Sequence, residues 1–107
     1  MSPFITFRDT DSNGELTLFV LQRDYPHFVG VLATYPSGKA VVEVPISGHN
    51  LYMRYYGTLR GNFIPLSNHI DLEMESVFHA MALWFYSERI MKDPKRYKKW
   101  AIPVPSH

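Results

Sequence analysis

The sequence predicts an α+β domain: a five- or six-stranded antiparallel sheet, meander-like in order, with one long C-terminal helix packed on one face. Two observations carry this. Up to Pro65, apolar residues mostly alternate with polar ones at strand period, whereas residues 70–91 repeat at helical period. The early segments are also joined by short turns, and short turns connect antiparallel neighbours because a parallel crossover needs a dozen or more residues.

Residues 4–8 and 15–23 read as two strands around the polar stretch from Asp9 to Gly14, where Asn13-Gly14 favours the positive φ of a hairpin. Asp24-Tyr25-Pro26 stops the second strand, and residues 28–35 form a third. Pro36-Ser37-Gly38 turns the chain into a fourth strand over 40–46. Ser47-Gly48-His49-Asn50 turns it again into a fifth over 51–59, and Arg60-Gly61-Asn62 closes a last short hairpin to Phe63 and Ile64. Pro65 forbids continuation as a central strand. Strands are therefore expected within 3–66.

The helix is expected over 69–92. Ser67 or Asn68 is positioned to cap it, and Asp71, Glu73 and Glu75 suit its first turns. Pro94 ends it, separating it from a basic turn and a proline-containing tail over 94–107. With 107 residues the chain is read as a single domain, 1–107. Its 46% hydrophobic content, with seven Phe, seven Tyr and two Trp, supplies the area needed to offset chain entropy.

Eleven basic against ten acidic residues leave a net charge of +1, so no strong global field steers the chain to a polyanion. Charge is nevertheless segregated: residues 71–88 carry four acids and no Lys or Arg, and residues 92–99 carry five bases and one acid. That order complements the helix dipole. The absence of cysteine excludes disulfides, thiol catalysis and thiolate metal sites. Charges throughout the first thirty residues break any signal-peptide core, and no apolar run approaches the about 20 residues needed to span a membrane. A soluble, cytoplasmic protein without membrane association is expected.

Two surfaces remain once a core is assigned. Ile70, Met74, Val77, Met81, Trp84 and Met91, flanked by Phe78 and Phe85, form the helix stripe that faces the sheet. A second series, Leu72, His79, Leu83, Tyr86 and Ile90, lies about 200° around the helix at 100° per residue. It is covered either by the tail, through Trp100, Ile102 and Val104, or by another molecule; it is the expected interface of a homo-oligomer or protein partner. On the fifth strand, alternation puts Tyr52, Arg54 and Tyr56 on one face, where Tyr-Arg-Tyr suits stacking of unpaired bases. Arg8 and Arg23 are candidates for the same side, and Lys95, Arg96, Lys98, Lys99 and Trp100 extend this possible nucleic-acid surface.

Catalytic signatures are missing: there is no GxxxxGK[ST], GxGxxG, HExxH or GxSxG. Asp9 to Gly14 matches the opening of a calcium loop, but its twelfth position is Val20 where a bidentate Glu is needed. Glu75 and His79, one turn apart, lack a third ligand. No metal or cofactor is expected, and a hydrolase or nuclease would require His27, His49, His69 or His107 to converge with Asp9, Asp11 or Asp24. The expectation is a small non-enzymatic interaction module, with single-stranded nucleic-acid binding as the first alternative and a small hydrolase or nuclease as the second.

Overall fold

One strand organises the molecule. In the computed structural model, β5 (His49–Leu59) is hydrogen-bonded along both edges. The structure describes residues 3–10, 13–14, 16–24, 27–33, 41–59, 62–66 and 72–104, apart from the side chains of Thr58, Leu59, Phe63 and Pro65. The expected turn at Pro36-Ser37-Gly38, the cap at Ser67 or Asn68, and Asp11, His69, Ile70, Asp71 and His107 lie outside these residues.

Strands β1 (Phe4–Thr10), β2 (Leu16–Gln22) and β3 (Phe28–Ala33) follow one another antiparallel, and β3 pairs with β5. The other edge of β5 carries β4 (Val41–Ile46) and then β6 (Asn62–Pro65). These six strands thus form an antiparallel sheet close to a meander, with β5 inserted between β3 and β4, and a short seventh strand from the C-terminal segment joins it. Ser47 and Gly48 have φ of 50° and 79°, the paired positive values of a two-residue hairpin turn. Because that turn is so tight, His49 and Asn50 join β5 and lengthen it by two residues beyond the sequence expectation. Pro45 lies on β4, away from the centre of the sheet, where a missing N–H is tolerated.

Helix α1 (Leu72–Phe85) follows the strands and lays Phe78, Met81, Ala82 and Phe85 against one sheet face. Leu18, Val20, Leu51, Met53 and Tyr55 meet them there, all essentially inaccessible. Phe78 stacks on Tyr55 with centroids 3.9 Å apart and meets Phe28 edge-on at 5.3 Å, which locks the helix over β3 and β5. Trp84 reaches the ring of Phe4 at 5.9 Å and so extends the contact to β1.

The helix continues through one π turn, Tyr86–Ile90, in which the Met91 N–H donates to the Tyr86 carbonyl. A turn wider by about one residue delays every later side chain by about 100° relative to an α-helix. This corrects two assignments. Met91, expected in the core stripe, is 63% exposed, and Ile90, expected on the far stripe, is buried.

Asp93 then caps α2 (Pro94–Tyr97), with Pro94 in the first helical turn and the Arg96 N–H donating to the Asp93 carboxylate at 3.4 Å. A 3₁₀ turn, Lys98–Trp100, brings Tyr97 and Trp100 edge-on to Phe85 at 5.8 and 6.5 Å. Beyond it β7 (Ile102–Pro103) pairs with Asn50 and His49, and the Val104 N–H donates to the Gly48 carbonyl. The tail therefore folds back onto the helix end and the start of β5. Its described residues do not cover Leu72 or Leu83, which are 82% and 43% exposed.

Tyr55 gives the core a measurable pH dependence. Its hydroxyl lies 3.3 Å from the Phe78 carbonyl, to which it donates, and burial pushes the phenol above its ordinary value of about 10. The unfolded chain ionises first, so from about pH 10 upward the unfolded state gains and stability falls, by at most about 1.4 kcal/mol per pH unit for this one group. Below that pH the contribution is fully present. Urea unfolding at pH 9 to 11 (about the ordinary phenol range) should show the fall, and Tyr55→Phe should flatten it relative to the parent chain.

Candidate functional site

The face of the sheet opposite α1 is unusually apolar. Register places Ile5, Leu21, Val29 and Tyr56 in one cross-strand row and Phe7, Phe19, Val31 and Arg54 in the next. Among the described residues no helix or strand packs over these rows. A hollow of about 630 Å³ lies on this face, lined by Phe7, Phe19, Leu21, Val29, Val31 and Tyr56, with Arg8 and Asp9 on its β1 side. Phe7 is 46% exposed. Charged residues bound the patch: Asp9 at the end of β1, Glu43 on β4 and Arg54 on β5.

Alternation correctly puts Tyr52, Arg54 and Tyr56 on this face. Tyr52 is buried, however, so of the two tyrosines only Tyr56 is open for stacking. Arg8 pairs with Leu18, which sets its Cα in the helix-side row, yet it borders the hollow beside Phe7 and Asp9; Arg23 lies past the end of β2. Trp100 is buried against Phe85 and is removed from any outward surface.

The second helix stripe divides. Leu72, His79 and Leu83 stay exposed, while Tyr86 is half-buried with its ring 6.2 Å from that of His49 and Ile90 is in the core. Leu72, Glu75 and His79 border a separate groove of about 540 Å³ between α1 and β4, whose other wall is Val42, Glu43 and Val44.

Lys95, Lys98 and Lys99 come together at the opposite end of the helix, on a groove of about 1010 Å³ between α2, the π turn and β7. Lys99 Nζ sits 4.4 Å from the centroid of the Trp100 ring. Arg96 lies on the same short helix but is not part of the groove wall.

Histidines do not assemble a catalytic group among the described residues. His27 Nδ1 contacts the Gln22 carbonyl at 3.3 Å, His49 Nδ1 contacts the Ser47 carbonyl at 3.1 Å, and His79 stands on the helix. No set of three or more His, Asp or Glu side chains among the described residues is arranged to hold a metal. No helix among them is long and apolar enough to cross a membrane.

The chain matches no protein-family model, no curated protein and no solved structure. The fold and its surfaces therefore have to speak for themselves.

The apolar sheet face was missed at the sequence level, although a signal for it exists. Residues 18–21 (Leu-Phe-Val-Leu) and 28–33 contain no polar side chain. A strand that is apolar at every position is one that meets apolar material on both faces.

Proposed function

We propose that this chain is a non-enzymatic protein-interaction module that pairs with a second copy of itself across the open face of its sheet. The supporting observation is the double apolar row on the side away from α1, with Phe7 standing beside a valine-floored hollow. Contiguous exposed apolar patches of this kind mark interaction surfaces in soluble proteins. Two copies related by a two-fold axis would each insert Phe7 into the hollow of the other, and the pair would form a helix–sheet–sheet–helix sandwich with sheets about 10 Å apart. A net charge of +1 opposes such self-pairing only weakly.

The nucleic-acid reading has less support, since burial of Tyr52 and Trp100 removes two of its three stacking rings. The hydrolase reading gains none from the separate placement of His27, His49 and His79.

Light scattering at high micromolar concentration is expected to report a dimer that Phe7→Asp dissociates without loss of helical or sheet signal. Leu83→Asp, on the exposed helix stripe, should leave it intact. A strictly monomeric parent chain overturns the reading, and so does a dimer that Leu83→Asp breaks and Phe7→Asp does not.

A further inference from the structure

The groove at the C-terminal end of the helix carries an inference independent of the sheet face. Its floor is apolar: Met91, exposed because the π turn rotated it outward, lies beside Ile90, Pro94 and the β7 pair Ile102 and Pro103. Its rim is cationic, with Lys95, Lys98 and Lys99. None of these three lysines makes an ion pair among the described residues. The acids nearby are already engaged: Glu88 holds Lys92 at 2.6 Å, and Asp93 accepts the Arg96 N–H as the cap of α2.

An apolar floor under a cationic rim that has no ion-pair partner among the described residues selects for a ligand with the opposite sign and the same amphipathic character. A nucleic acid meets only the charge. Stacking needs open rings, and Tyr97 and Trp100 are 8% and 4% exposed, leaving half-buried Tyr86 and the His49 ring beside it. A bilayer surface is convex or flat at this scale, whereas about 1010 Å³ of recessed space suits a chain segment that lies in it.

We infer that this groove docks an acidic, amphipathic peptide segment of a partner protein, whose apolar side chains rest on Met91 and Ile102 while its carboxylates meet Lys95, Lys98 and Lys99. Lys98 and Lys99 close one side of the site because the 3₁₀ turn is held by Trp100 in the core; the rim is thus positioned by the same residue that anchors the tail.

The probe is a fluorescein-labelled peptide of about ten residues alternating Glu with Leu, which extends to roughly 33 Å. Anisotropy with the full chain should show binding that weakens as salt is raised. The combined variant Lys95→Glu, Lys98→Glu, Lys99→Glu should weaken it by at least about tenfold, the scale of three rim charges. Met91→Asp should weaken it as well, and Phe7→Asp should not. These exposed substitutions are expected to leave the circular dichroism spectrum unchanged, which separates lost docking from lost folding. Absence of peptide binding at millimolar concentration overturns the inference. Tighter binding of an oligo-deoxythymidine or of phosphatidylserine-containing vesicles than of the peptide overturns it too, as does peptide binding that the lysine variant leaves intact.

Discussion

Phe85→Ala should lower the unfolding free energy by about 3–5 kcal/mol, the usual cost of emptying a buried aromatic site. Phe85 has no accessible surface, and two further rings, Tyr97 and Trp100, meet it edge-on. Each such pair adds about 0.5–1.5 kcal/mol beyond area burial. Small domains have only about 5–15 kcal/mol in total, so the substitution removes a large share. Urea unfolding would show a lower midpoint at an unchanged slope. Hydrogen exchange should show the loss first at Tyr97, Ala101 and Val104, because the tail reaches the body of the molecule through these rings and the short β7 ladder. Leu83→Ala, two positions earlier and 43% exposed, should stay within about 0.5 kcal/mol of the parent. Equal losses at both positions would show that the tail is not anchored through Phe85.

The second large effect is expected at Gly30. A Cβ at this position would lie 2.5 Å from Met53 Cε and 2.8 Å from Met81 Sδ, beneath the centre of α1. Methionine ends are flexible, but both side chains are fully buried, so they yield only by repacking within the core. Gly30→Val should therefore cost about 1–3 kcal/mol through overpacking, even though valine is the better strand former by up to about 1 kcal/mol. Gly57→Ala is the matched control. Its Cβ would meet Leu66 at 3.4 Å, an ordinary contact, so thermal denaturation should place it at or slightly above the parent chain. If Gly30→Val proved as stable as the parent, the helix would not be seated this closely on β3.

The broad architecture was legible because its two periods differ so clearly on either side of Pro65. The core stripe was also legible where the helix stays α: Met74, Val77, Phe78, Met81, Trp84 and Phe85 all face the sheet. Legibility failed at the π turn, since a hydrogen-bond slip at Tyr86 leaves no mark on residue spacing. That slip exchanged the roles of Ile90 and Met91. Strand pairing failed differently. Turn lengths predict that β3 and β4 join as neighbours, yet β5 pairs with both and lies between them, and no local residue encodes that insertion. The two candidate surfaces shifted for related reasons. Tyr52 and Trp100 carry the right chemistry for stacking and lie buried, whereas the apolar runs on β2 and β3 matter because the single helix covers only one side of them.

The placement of β7 also sets an order of events. β5 pairs with β4 through a two-residue turn, a contact that closes in microseconds, yet its first residues receive β7 from more than fifty positions downstream. Long-range pairings of that kind slow folding, since loop closure comes before any compensating contact. During synthesis the start of β5 therefore waits with one edge open until residues 102–103 have emerged.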